Sequence, residues 1–101
     1  MALDYPHEKF TLAVHDLAES QATLQQRIYD VFISHLHPVQ ANDFPADLKP
    51  KFESLKRQVT RTPATGNEGT FHATIFGMSD KEAKDVIGQI VDLQEEIVRR
   101  H

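Results

Sequence analysis

The chain has no cysteine, no tryptophan and only four glycines among its 101 residues. Without cysteine there is no disulfide framework, no thiolate nucleophile and no thiolate metal site. The glycines offer no phosphate cradle: Gly66-Asn67-Glu68-Gly69-Thr70 lacks the lysine such a loop needs and carries an acid instead. Long apolar runs are also missing. The longest uncharged apolar stretch, around Val31-Phe32-Ile33, is far too short to cross a bilayer core of about 30 Å. Met1-Ala2-Leu3-Asp4-Tyr5-Pro6 has neither the basic start nor the apolar stretch of a secretory leader. These absences lead us to expect a cytoplasmic protein with no membrane contact.

What is present suits a small globular fold. Apolar residues make up 40% of the chain and charged residues 26%, a balance that can bury a core rather than remain disordered. A chain this short is expected to form one domain over residues 1–101. Six Phe and two Tyr must supply the bulky contacts.

Periodicity predicts helices. Ser79-Asp80-Lys81-Glu82 reads as a capping box opening a long helix over 80–99, with Ala83, Val86, Ile90, Leu93 and Ile97 in one row. Ile87, Val91 and Val98 widen that apolar arc beyond what one neighbour covers. Asp4 and Pro6 mark the start of a helix over 6–19. Thr23-Leu24-Gln25-Gln26 is a second capping box, and Leu24, Ile28, Val31, Phe32 and Leu36 form the face of the next helix, which Pro38 stops. A single helix over 6–37, bent near Ser20, is the alternative. Residues 38–46 read as a loop. Leu48, Phe52, Leu55 and Val59 place a third helix from about Asp47, with Pro50 harmless near its first turn. Residues 62–69 form the longest predicted loop. Thr70-Phe71-His72-Ala73-Thr74-Ile75-Phe76 is β-rich in composition, yet a lone strand has no partner for its backbone groups, which favours a short helix. The expected fold is all-α: a compact antiparallel bundle of four main helices and a short fifth.

Charge is uneven. The net charge of −4 divides into −5 over residues 1–47, +4 over 48–66 and −3 over 67–101. The basic stretch sets Arg57 and Arg61 one helical turn apart, flanked by Lys49, Lys51 and Lys56. It points to an acidic protein partner, or to a phosphate backbone. Nucleic acid is the less expected partner, because no aromatic residue is interleaved with the cations. On the last helix, Val91 and Val98 mark the edge of the surplus apolar stripe. They are candidates for contact with a partner, a second copy of the chain included.

Other constellations lead less far. His35-Leu36-His37 sets two imidazoles on divergent helix directions with no third ligand nearby, so no metal is expected there. Asp80-Glu82 and Glu95-Glu96 suit solvation and helix-dipole matching rather than acid–base work. The Arg–His spacing of HEPN-type ribonucleases is not met, since Arg27 precedes His35 by eight positions. His15-Asp16-Leu17-Ala18-Glu19-Ser20 is similar to the His-x-Leu-Lys-Gly-Ser motif of histidine phosphotransfer domains at its His, Leu and Ser. That resemblance implies a helical bundle with His15 as phosphoacceptor. The chain departs from it where Ala18 replaces the lysine that steadies a phosphoryl group and Glu19 replaces the small glycine beside it.

The reading that follows is a small non-enzymatic, cytoplasmic protein-interaction module with no cofactor. Its candidate surface comprises Lys49, Lys56, Arg57, Arg61, Val91 and Val98. A phosphoryl relay through His15 and a phosphate or nucleic-acid binder through the third helix are the alternatives.

Overall fold

Two side-chain hydroxyls start two of the helices. Thr23 Oγ1 accepts the Gln26 N–H at 3.1 Å, and Ser79 Oγ accepts the Glu82 N–H at 3.1 Å. Each cap satisfies a backbone donor that the helix itself leaves orphaned. The reciprocal arms of the two expected capping boxes are not made. The Gln26 amide donates to Asp30 at 2.8 Å, and the Glu82 carboxylate receives Arg61. A reaching arm forms instead at the Gln40 N–H, which donates to the Asp43 carboxylate at 2.8 Å. Asp4 is not a cap either: it is the first residue of its helix, behind Leu3, which makes no side-chain cap bond.

The structure, a computed structural model, describes residues 3–63 and 69–101. Those residues contain α1 (Asp4–Glu19), α2 (Leu24–Val31), α3 (Lys49–Thr60), α4 (Thr70–Phe76) and α5 (Asp80–Arg100), and no strand. The all-α reading holds, with α4 as the short fifth helix. Most of the predicted 62–69 loop lies outside the described residues. Residues 6–37 are two helices rather than one: Ser20 is extended, and its Oγ accepts the Ala22 N–H at 3.1 Å, a local bond that competes with helix continuation.

Two short segments were not foreseen. α2 runs on into a π-helical segment, Phe32–Leu36, and a 3-10 turn spans Ala41–Asp43. Pro38 has no N–H with which to continue an α-helical ladder. The donor before it, His37 N–H, reaches back five residues to the Phe32 carbonyl at 2.8 Å. The wider turn keeps Phe32 and Leu36 fully buried.

One core joins all five helices. α5 is central, packing against α1, α2 and α3, and its row Ala83, Val86, Ile90, Leu93 and Ile97 is buried. This position accounts for most of its wide apolar arc, since three neighbours cover more of a helix than one does. Phe10 of α1, Phe44 of the connecting loop and Phe52 of α3 form an aromatic cluster, with Phe44 stacked on Phe52 at 4.8 Å. α4 wedges between α2 and α3, burying Ile75 and setting Phe71 against Phe32 at 5.4 Å. Its buried Thr74 hydroxyl accepts the Thr62 N–H at 2.9 Å, which ties the start of the preceding loop to this helix. No helix of the described residues is long and apolar enough to cross a membrane.

Candidate functional site

The predicted basic surface does not stay together. The buried face of α3, Phe52, Leu55 and Val59, forces its cations onto different flanks. Lys56 turns inward. Its Nζ donates to the His37 carbonyl at 3.3 Å and lies 5.5 Å from the Phe71 ring centroid and 5.9 Å from that of Phe52. Burial pulls its pKa below the usual lysine range. Arg61 pairs with Glu82 of α5, and Lys51 lies 3.8 Å from Glu96. Among the described residues, Lys49 and Arg57 make no ion pair; Lys49 is half-buried and Arg57 exposed. Of the five cations in this stretch, Lys51 and Arg61 are thus matched by carboxylates of α5, and Lys56 is drawn to a carbonyl and two rings.

The apolar stripe also divides. Ile87 packs against the core and Val91 is half-buried, while Val98 is 49% exposed. Val91 and Val98 flank the buried row of α5 on the side away from its α3 contacts, which are made by Glu82, Asp85, Gln89 and Glu96.

His15 lies on the outer face of α1 with its side chain 65% exposed. Its Nε2 is 3.2 Å from Glu19 and its Nδ1 is 3.7 Å from Asp16, so carboxylates stand beside both ring nitrogens. His35 and His37 stand in different surroundings. His35 Nε2 meets Asp16 at 2.7 Å, fastening the π-helical segment to α1, while His37 is exposed. The hydrogen bond from His35 is the main reason the Asp16 carboxyl sits below its ordinary pKa, with charge attraction adding to it against the cost of partial burial. Among the described residues, no group of three or more acidic or histidine side chains is arranged to hold a metal ion.

Sequence reasoning missed an aromatic patch on α2 and α4. Tyr29 meets His72 edge-on at 5.5 Å and Phe76 at 5.3 Å, and His72 lies 4.6 Å from Phe76. Phe76 is 39% exposed, and Ile33, one turn beyond Tyr29, is 46% exposed. The pattern holds a partial signal: once residues 70–76 are helical with Phe71 and Ile75 inward, His72 and Phe76 share another face, four residues apart. Their meeting with Tyr29 depends on how α4 docks against α2.

Comparison with known proteins returns no match: no family model, no curated protein and no solved structure matches this chain.

Proposed function

We propose that this chain is a small, non-enzymatic protein-interaction module of the cytoplasm whose contact surface is the aromatic patch of Tyr29, His72 and Phe76, extended by Ile33. One observation carries the reading: a large aromatic side chain, Phe76, stands 39% exposed at the centre of a cluster of rings. Aromatic residues are enriched where proteins meet, because each supplies much contact area for few rotatable bonds. The partner is an apolar protein surface. A second copy of the chain is the first candidate, since ring edges and faces complement one another across a two-fold axis. Val91 with Val98, and Lys49 with Arg57, are the outer contacts such a module offers elsewhere.

The two alternatives draw less from the geometry. A phosphoryl group on His15 would sit against Glu19 and Asp16, whose charge repels it. A phosphate backbone would find Lys56 turned inward and Arg61 already paired.

The test is site-specific photocrosslinking in cells, with a photoreactive side chain at position 76 and a control at exposed position 84. A specific adduct from position 76 alone is expected, and its mass separates a second copy from another protein. Equal labelling from both positions, or none from either, overturns the reading.

A further inference from the structure

The seam between α3 and α5 is a polar ladder with a rung missing. The two helices are antiparallel, and side chains join them in register. Arg100 meets Asp47 at 2.7 Å, Lys51 meets Glu96 at 3.8 Å, and Gln58 bonds Gln89 at 2.6 Å and Asp85 at 3.2 Å, before Arg61 reaches Glu82. Between the Lys51 and Gln58 rungs, Ser54 and Asp92 border the same opening. Neither side chain makes a hydrogen bond or ion pair among the described residues, and both are exposed. A cleft of about 340 Å³ lies there, lined by Pro50, Lys51, Ser54, Gln89, Asp92 and Leu93.

Its lining defines what complements it. The α5 side presents the Asp92 carboxylate. Gln89 Nε2 is committed to Gln58 at 2.6 Å and Asp85 at 2.8 Å, so Gln89 Oε1 is left as a second acceptor. The α3 side presents the Lys51 ammonium, which also feels Asp47 and whose long contact with Glu96 leaves donors for another anion. Leu93 is buried beneath, and Pro50 adds apolar surface at the edge. Acceptors face a cation donor across an apolar floor, with one charge of each sign. A ligand of one charge would be attracted by one side and repelled by the other. The volume is at the small end of ligand sites, roughly 300–1,000 Å³.

We infer that this cleft binds a small aliphatic zwitterion of the amino-acid class, with its ammonium on Asp92 and Gln89 Oε1, its carboxylate on Lys51 and its side chain over Leu93. The site is on a different face from the aromatic patch and does not depend on it.

The probe is L-leucine, titrated into the ¹⁵N-labelled chain at neutral pH and constant ionic strength. Isoamylamine and isocaproate, which carry only one of its two charges, are titrated in parallel. Saturable shifts are expected at Ser54, Gln89, Asp92 and Leu93, with leucine bound roughly tenfold more tightly than either single-charge compound. Asp92→Asn and Lys51→Gln should each weaken leucine by about the same factor. Both side chains are exposed, so the variants should keep the parent melting temperature. Ser54→Phe, which fills the cleft, should abolish binding. Shifts that never saturate, equal binding of the amine alone, or binding unchanged by the Asp92 and Lys51 variants overturns the inference.

Discussion

The Lys56 ammonium on α3 donates to the His37 carbonyl, 3.3 Å away, just beyond the π-helical end of α2. The same ammonium lies near the Phe52 and Phe71 rings, so one charge ties α2, α3 and α4 together. Its sequence neighbour Arg57 is exposed and makes no ion pair or side-chain hydrogen bond among the described residues.

The two adjacent cations should therefore respond differently to reversal. Lys56→Glu sets a carboxylate against a carbonyl oxygen and two ring faces, and should cost about 2 kcal/mol or more. Arg57→Glu should stay within about 0.5 kcal/mol of the parent. Urea denaturation of the two variants measures both. Equal losses would show that Lys56 has no internal role.

Acid should loosen the fastening between α1 and the π-helical segment. The Asp16 carboxyl has its pKa lowered in the folded chain, first by the His35 hydrogen bond. Its contribution is therefore fully present above the ordinary carboxylate value of 3.8 and lost as pH falls through the lower folded value. The side chain is half exposed, so solvent screening keeps the effect below about 1 kcal/mol. Asp16→Asn should flatten this part of the acid limb of stability. A carboxyl titration by NMR with Asp16 at or above its ordinary value would contradict the assignment.

The one-armed cap at α5 separates two residues that its motif treats as a pair. Ser79→Ala removes the bond to the Glu82 N–H and should cost about 1 kcal/mol. Glu82→Gln leaves that bond intact and weakens only the exposed pair with Arg61, a loss of about 0.2–1 kcal/mol. A double-mutant cycle should find the two changes nearly additive. Strong coupling between them would show that the Glu82 side chain does return to the cap.

Thr74→Val tests the tie between α4 and the preceding segment. The hydroxyl is buried and accepts the Thr62 N–H. Valine keeps the shape and removes the acceptor, so about 1 kcal/mol should be lost. Amide exchange at Thr62 should also quicken. An unchanged exchange rate would mean that the bond protects nothing.

The residues inward from each helix were legible because burial follows a period that side-chain chemistry alone displays. Val86, Ile90, Leu93 and Ile97 sit one and two turns apart, and only a helix lines such a row on one face. The hydroxyl caps at Thr23 and Ser79 were legible for the same reason: they act within one turn, so no distant residue decides them. Even α4 followed from local logic, since a strand there would have had no neighbour for its backbone.

The surfaces were decided by tertiary contact. Composition showed a basic stretch, but it could not show that Lys56 turns toward the His37 carbonyl or that Arg61 meets Glu82, which is 21 positions away. The width of the α5 arc was plain, yet whether it met a second chain or a third helix depended on where α5 sits in the bundle. Tyr29 met Phe76, and Ser54 came to border the same cleft as Asp92, only when helices far apart in the chain packed together. Helical periodicity is set by bonds between residues three and four apart. A surface that faces a partner is what remains after every long-range contact has been made, and that remainder belongs to the fold.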